Sequence, residues 1–280
     1  VITGVDAASA AGNYTISYTG AVDTITPKNI TVTINRPAGS LTYNGSEQTN
    51  GITQVSGVEP GETLTFTGLA KGTAAGSYND NLVGVAGANT SLSNYNITYT
   101  NGSLTIAPAP LTITGATGTF TYNGTVRTNT TSVQGLIGSD SLTSVSGIAS
   151  ATNAGTYTDT LSNAQLANGN TSVTGNYAIT YVNGGITISP ALLSIVNPTM
   201  TYNGSTSFAP GTSAATAVFA GVNGEQVTLG GTATLSNANV LGGSSVPSTS
   251  GLNVASVSGG SGVSVPGNYV LPASLPSVTI

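Results

Sequence analysis

Apolar side chains recur at every second position in many short stretches of the chain. In the stretch YNITY, for example, the side chains of Tyr95, Ile97 and Tyr99 fall on one face of a strand, and the residues between them are polar. This alternation predicts half-buried β-strands. No stretch of a dozen residues shows the three-and-four spacing of an amphipathic helix, so we expect helix to be nearly absent.

Asn-Gly pairs separate these runs, and eight of them occur in the chain. Asn101-Gly102 directly follows the strand described above, and the apolar alternation then resumes at Leu104 and Ile106. Because Asn-Gly readily adopts the positive φ angles of a two-residue turn, we predict a tight β-hairpin here.

The sequence repeats with a period of about eighty residues. The tetrapeptide TYNG begins at positions 42, 121 and 201, which are 79 and 80 residues apart. Asn-Tyr occurs at Asn13, Asn94, Asn176 and Asn268, and Ala-Gly-x-Tyr at 75–78 and 154–157. The motifs keep the same order within each period, which indicates tandem copies of one unit.

We therefore predict four parts in the chain. Residues 1–36 would be the C-terminal part of a preceding repeat, and residues 37–107, 108–189 and 190–280 would be three full repeats. Prolines mark the predicted boundaries, at Pro37, at Pro108 and Pro110, and at Pro190. Such short proline bridges are extended, so we expect the repeats to be joined end to end.

Each repeat is predicted to be a small antiparallel β-sandwich. The Ala-Gly-x-Tyr element resembles the tyrosine corner of immunoglobulin-like sandwiches, and a β-grasp-like unit is the structural alternative. The predicted fold class is thus all-β, a tandem array of repeat domains.

The composition excludes several functions. Four basic residues against nine acidic ones cannot form the basic surface that nucleic acid requires. No apolar run is long enough to span a membrane, so we expect no membrane insertion. The chain has no Cys and no His, which removes the commonest nucleophiles, general bases and transition-metal ligands. We therefore expect no enzymatic activity.

Acidic residues recur at equivalent places in the repeats. Glu62, Asp140 and Glu225 align just before a strand, and Asp80 and Asp159 align after the Ala-Gly-x-Tyr tyrosine. Recurrence in successive repeats argues against a single active site and favours carboxylates that cap turns. The alternative is a small Ca²⁺ site at the domain joints, for which the candidate ligands are Glu62, Asp80, Asp140 and Asp159. No other cofactor is expected.

The Asn-Tyr tyrosines suggest a second alternative. Tyr14, Tyr95, Tyr177 and Tyr269 could stack on sugars, as in a lectin, but their place in the apolar alternation favours core or half-buried positions.

Two motifs together resemble a known family. Tyr43-Asn44-Gly45 with 94–108, and Tyr122-Asn123-Gly124 with 176–190, resemble the MBG-type repeat of very large bacterial exported proteins. Residues 201–280, with TYNGSTS, GVNGEQVTLGG and GNYVL, are similar to the related YDG repeat.

The resemblance implies a role. Such repeats form stalks of filamentous-haemagglutinin-like exoproteins, which Gram-negative bacteria often export by two-partner secretion. We therefore expect a non-catalytic stalk or filament segment of a large extracellular adhesin, acting in surface attachment or the biofilm matrix. The expected partners are neighbouring repeats of the same or another copy of the chain, and cell-surface or matrix polysaccharide. The alternative function is a glycan- or matrix-polymer-binding module.

Overall fold

The computed structural model describes residues 20, 23–35, 41–195, 198–212, 215, 218–240, 243–260 and 265–280. Within these ranges the regular structure is β-strand with four short 3₁₀ turns, and no α-helix is present. The predicted all-β class is therefore confirmed. No helix in the described ranges has the length and apolarity that crossing a membrane requires. The Asn13-Tyr14 motif and Pro37 lie outside the described residues.

Thirty strands follow one another in the described ranges. Up to residue 107 they are β1 (Lys28–Asn35), β2 (Leu41–Thr42), β3 (Gln48–Thr49), β4 (Gly51–Ser56), β5 (Leu64–Thr67), β6 (Lys71–Gly72), β7 (Gly76–Asn79), β8 (Val83–Ala86), β9 (Tyr95–Tyr99) and β10 (Ser103–Ala107). The next eleven are β11 (Ala109–Gly115), β12 (Thr117–Thr121), β13 (Arg127–Thr128), β14 (Thr131–Gln134), β15 (Ser141–Ser146), β16 (Ser150–Ala151), β17 (Gly155–Thr158), β18 (Ser162–Asn168), β19 (Thr171–Ser172), β20 (Tyr177–Val182) and β21 (Gly185–Ser189).

The remaining strands are β22 (Ala191–Leu192), β23 (Ser207–Phe208), β24 (Val218–Ala220), β25 (Glu225–Gly231), β26 (Ala233–Thr234), β27 (Ser244–Val246), β28 (Leu252–Gly259), β29 (Tyr269–Val270) and β30 (Leu275–Val278). The 3₁₀ turns span Leu92–Asn94, Thr174–Asn176, Val222–Gly224 and Pro266–Asn268. Three of these four turns end at the Asn of an Asn-Tyr motif, so each of those tyrosines opens a strand.

The described residues form two compact units. The first takes its residues from 1–39, 48–72 and 77–105. Its central sheet has the order β4-β1-β9, and β5 pairs with β8 and β3 with β6. Alternation along β1 buries Ile30 and Val32, which pack with Leu82 and Tyr95 in the core of this unit.

The second unit takes its residues from 40–47, 73–76 and 106–280. Its three-stranded sheets have the orders β14-β11-β20, β12-β21-β17, β15-β18-β19 and β24-β25-β28. One core cluster joins Ile186 and Ile188 of β21 to Val227 and Leu229 of β25. A second cluster surrounds Phe208, which is fully buried.

The sheets are mixed, which corrects the prediction of purely antiparallel packing. β1 pairs with β9 in parallel, and β11 pairs with β20 in parallel. The partners in each pair are separated by some sixty residues of chain, and a connection of that length lets two neighbouring strands run in the same direction. The finer choice between an immunoglobulin-like and a β-grasp-like topology stays a prediction.

The predicted hairpin at Asn101-Gly102 is wrong. β9 belongs to the sheet of β1, β10 is not its hydrogen-bonded neighbour, and neither Asn101 nor Gly102 has a positive φ angle. The physical reason is a competing partner, because the Gly102 amide donates to Asp80 Oδ2 over 2.9 Å. The linker therefore passes from one sheet to the next instead of reversing within one sheet.

Candidate functional site

Asp140 lies at the centre of a buried polar contact. Its Oδ2 accepts hydrogen bonds from the hydroxyls of Tyr43 (2.9 Å) and Tyr177 (2.6 Å), and its Oδ1 accepts one from Asn168 Nδ2 (2.8 Å). Asp140 is only 6% exposed. We call Tyr43, Asp140 and Tyr177 the first joint. All three lie in the second unit, Tyr43 in its part 40–47 and the other two in its part 106–280.

Backbone hydrogen bonds near Ile137 position Asp140 and Tyr177, the two partners of Tyr43. The turn before β15 is closed by the Asp140 amide, which donates to the Ile137 carbonyl over 3.0 Å. The Ile137 amide in turn donates to the Tyr177 hydroxyl over 2.9 Å. The Tyr43 and Tyr177 rings meet edge to face with centroids 5.4 Å apart. Tyr43 therefore contacts a site whose other two members, Asp140 and Tyr177, are linked to each other through Ile137.

The same arrangement recurs one period later. The hydroxyls of Tyr122 and Tyr269 both donate to the Glu225 carboxylate, the latter to Oε2 over 2.5 Å. The Val222 amide donates to the Tyr269 hydroxyl over 2.7 Å, and the two rings lie 5.5 Å apart, edge to face. We call Tyr122, Glu225 and Tyr269 the second joint. It connects the segment 108–189 to the segment 190–280.

An asparagine accompanies each joint. Asn176 Oδ1 accepts from the Ala75 amide over 2.9 Å, and Asn268 Oδ1 accepts from the Ala154 amide over 2.8 Å. The Asn-Tyr motif of one segment thus binds the Ala-Gly-x-Tyr loop of the segment before it. Within that loop, the Tyr157 hydroxyl donates to the Asn153 carbonyl four residues upstream. This is the local contact that a tyrosine corner makes.

Burial and hydrogen bonding together set the ionisation of the first joint. Burial works to raise the pKa of Asp140, but the hydrogen bonds from Tyr177, Asn168 and Tyr43 outweigh it and lower that pKa below its ordinary value. Burial and the hydrogen bond to Asp140 together raise the pKa of Tyr177 to about 12. The same two causes raise the pKa of Tyr43. The joint is therefore a carboxylate held between two neutral phenols.

Asp80 and Asp159 occupy a different kind of site. Asp159 Oδ1 accepts from the Ala149 amide (2.7 Å), and Oδ2 accepts from Asn129 Nδ2 (2.7 Å) and the Gly184 amide (3.1 Å). Both carboxylates are buried.

The bonds of Asp80 follow the same pattern. Asp80 accepts from the Ala70 amide, from Asn50 Nδ2 and from the Gly102 amide. Each aspartate thus fastens the linker between two sheets of its own segment.

The four candidate calcium ligands have different hydrogen-bond partners and do not accept from a common donor. Glu62 accepts from the Tyr95 hydroxyl, Asp140 belongs to the first joint, and Asp80 and Asp159 bind the linkers. In the described ranges no group of three or more acidic residues is placed to hold a metal ion. The donors around Asp159 are N–H groups, whose positive ends would repel a cation. The calcium hypothesis stays a prediction, and chelation tests it.

The Asn-Tyr tyrosines are core residues where the structure describes them. Tyr95, Tyr177 and Tyr269 are all buried, so their faces are not free to stack on a sugar. Tyr14 lies outside the described residues. Among the described tyrosines, the exposed one is Tyr202 of the third TYNG motif, which is 60% exposed.

The joints themselves were not predicted from the sequence, although their parts were. TYNG, the aligned acid and Asn-Tyr each recur once per period, and that common recurrence was the available signal. The contact between Tyr43 and Asp140 spans 97 positions, so no local pattern could show that these motifs meet.

Comparison with known proteins identifies one part of the chain. Residues 189–277 match the YDG domain family, which confirms the YDG-type prediction for the last segment. The match covers about a third of the chain, and the MBG-type prediction for the two segments before it stays a prediction. No curated protein and no solved structure matches the chain.

Proposed function

We propose that the chain is a non-catalytic structural segment of a large extracellular bacterial adhesin, a stalk or filament in which successive repeats are fixed to each other by the joints. The recurrence of the joint carries this proposal. A tyrosine pair shares one buried carboxylate at two successive boundaries, with Asp140 in one and Glu225 in the other. In a repeat array, each repeat contacts only its neighbouring repeats, so contacts at successive boundaries are what such an array requires.

Strand pairing supports tandem repeats and suggests where they begin. β1, β11 and β22 each start directly after a proline, and their first residues pair with Tyr95, Tyr177 and Tyr269 respectively. The prolines are Pro27, Pro108 and Pro190. We therefore propose that the first repeat starts at Pro27 instead of residue 37, and the pairing of β1 with β4 and β9 supports this.

The composition and the YDG match support an extracellular location. Only 5% of residues are charged, and the polar surface consists mainly of Thr, Ser, Asn and Gly. Together with the YDG domain at 189–277, this favours a cell-surface or secreted protein of a Gram-negative bacterium that acts in attachment or the biofilm matrix. Its main partners would be neighbouring repeats.

Single-molecule force spectroscopy tests the structural role. Pulling on the two ends should give separate unfolding events of about 80 residues each, or about 270 Å of released chain at about 3.4 Å per residue. Asp140→Ala should lower the force of the events that border the first joint. Asp23→Ala, at an exposed position, is the matched control. A single low-force event for the whole chain would contradict the proposal.

The second candidate function is a glycan- or polymer-binding module, favoured by the exposed ring of Tyr202. Aromatic rings at a protein surface are suited to stacking on a bound ligand. A glycan array distinguishes the two functions. Reproducible micromolar binding that Tyr202→Ala abolishes would replace the structural proposal, whereas we expect no such binding.

A further inference from the structure

Each joint consists of two complementary halves. One segment contributes a donor half, which is the tyrosine and glycine of its TYNG motif. The next segment contributes an acceptor half with three parts. These are an acidic side chain, the Asn-Tyr tyrosine whose hydroxyl donates to that acid, and a backbone amide that donates to the tyrosine hydroxyl. The donor tyrosines Tyr43 and Tyr122 are 5% and 3% exposed, because the acceptor half covers them.

A third donor half is present at Tyr202 to Gly204. Its turn is formed in the same way, since Asn203 Oδ1 accepts from the Ser205 amide over 2.9 Å, as Asn44 Oδ1 does from the Ser46 amide. Yet Tyr202 is 60% exposed.

The glycines of the three motifs show the same contrast. A Cβ placed on Gly45 would lie 3.3 Å from Ile137, and one on Gly124 would lie 2.7 Å from Asn223, both in the following segment. A Cβ on Gly204 would meet nothing within 4 Å. The third donor half is therefore formed and uncovered.

A third acceptor half is present in the first unit. The Tyr95 hydroxyl donates to Glu62, and the Glu59 amide donates to the Tyr95 hydroxyl over 3.1 Å. These contacts reproduce those of Asp140 with Tyr177, except that Glu62 has no second tyrosine among the described residues. The asparagine of this half, Asn94, is exposed, whereas Asn268 of the second joint is buried.

We propose that these two surfaces bind each other between two copies of this chain, so that Tyr202 of one copy donates to Glu62 of the next. The inference rests on the joint of the proposed function and names its partner. The occupant is a second copy because one chain carries both halves, and a phenol donor matches a carboxylate acceptor. The contact is heterologous, so each copy in a bound pair keeps one unused surface to which a further copy can bind.

Sedimentation of the full chain between about 10 μM and 1 mM tests the proposal. The weight-average mass of the wild-type chain should rise continuously with concentration. Tyr202→Ala and Glu62→Ala should each weaken association by at least about tenfold, and thermal melting should show that both variants are folded. Val240→Ala, at a position 54% exposed in the same segment, should associate like the wild-type chain.

Mixing the two variants gives the sharper result. Each variant keeps one intact half, so an equimolar mixture should form heterodimers and stop there, because the remaining surfaces cannot extend the series. A wild-type chain that stays monomeric to 1 mM, or a mixture that stays monomeric, would overturn the inference. Separate unfolding events in the force experiment would still support the proposed function, so the two failures are distinguishable.

Discussion

Tyr43 and Asp140 are 97 positions apart in the sequence, yet the Tyr43 hydroxyl donates a 2.9 Å hydrogen bond to Asp140 Oδ2. Burying a carboxylate is costly unless donors satisfy it, and Asp140 has three. Hydrogen bonds to a charged acceptor are stronger than neutral ones and depend on direction. The joint therefore does more than cover apolar surface, because it holds the Tyr43 side chain in one orientation against Asp140 and Tyr177.

The joint predicts a difference between two chemically identical substitutions. Tyr43→Phe removes a buried donor to a carboxylate and should lower the free energy of unfolding by about 1–2 kcal/mol. Tyr202→Phe makes the same change in the same motif, but that tyrosine is exposed, so the cost should stay below about 0.5 kcal/mol. Urea unfolding of dilute protein, followed by tyrosine fluorescence, measures both. Equal costs would mean that Tyr43 contributes packing only.

The sequence predicts strands better than it predicts their partners. Alternation in YNITY correctly indicates a strand with Tyr95 on the buried face, since burial of every second side chain is a local property. Its pairing with β1 depends on residues more than sixty positions away. The Asn-Gly rule failed at Gly102 because Asp80, a tertiary contact, determines the path of the backbone there.

The same limit applies to the candidate site. Recurrence of Asp140 and Glu225 in successive periods favours a role that every repeat shares. It could not distinguish a turn cap from a joint, because both roles need one acid per repeat. The distinction depends on Tyr43 and Tyr122, whose own segments give no indication that another segment covers them.

A glycine pair tests the site of Asp159. A Cβ on Gly115 would lie 2.0 Å from Asp159 Oδ2 and would displace the carboxylate from its donors. Gly115→Ala should therefore destabilise the chain by about 1–3 kcal/mol, as overpacking does in a well-packed interior. Gly175→Ala is the control, since a Cβ there would meet nothing within 4 Å. The measurement is the melting temperature of both variants. If Gly115→Ala melts at the temperature of the wild-type chain, Asp159 can move aside without loss of stability.

Chelation tests the calcium hypothesis. A bound ion stabilises the folded state by mass action, so its removal would lower the melting temperature by several degrees. We expect no change, because Asp80 and Asp159 already accept hydrogen bonds from amide groups. The measurement compares melting curves in excess Ca²⁺ and in excess chelator. A shift that Asp159→Asn abolishes would instead establish a calcium site.

Alkaline pH should weaken the first joint over a defined range. An unfolded tyrosine loses its proton near pH 10, whereas the pKa of Tyr177 in the folded chain is about 12. Between these values the folded state binds more protons than the unfolded state, so the contribution of Tyr177 to stability is complete below pH 10 and is lost as the pH rises to 12. Urea unfolding at intervals from pH 9 to 12 should show a steeper decline for the wild-type chain than for Tyr177→Phe, which has no proton to lose. Parallel declines would show that the Tyr177 hydroxyl titrates alike in both states, and would remove the basis for a buried phenol–carboxylate pair.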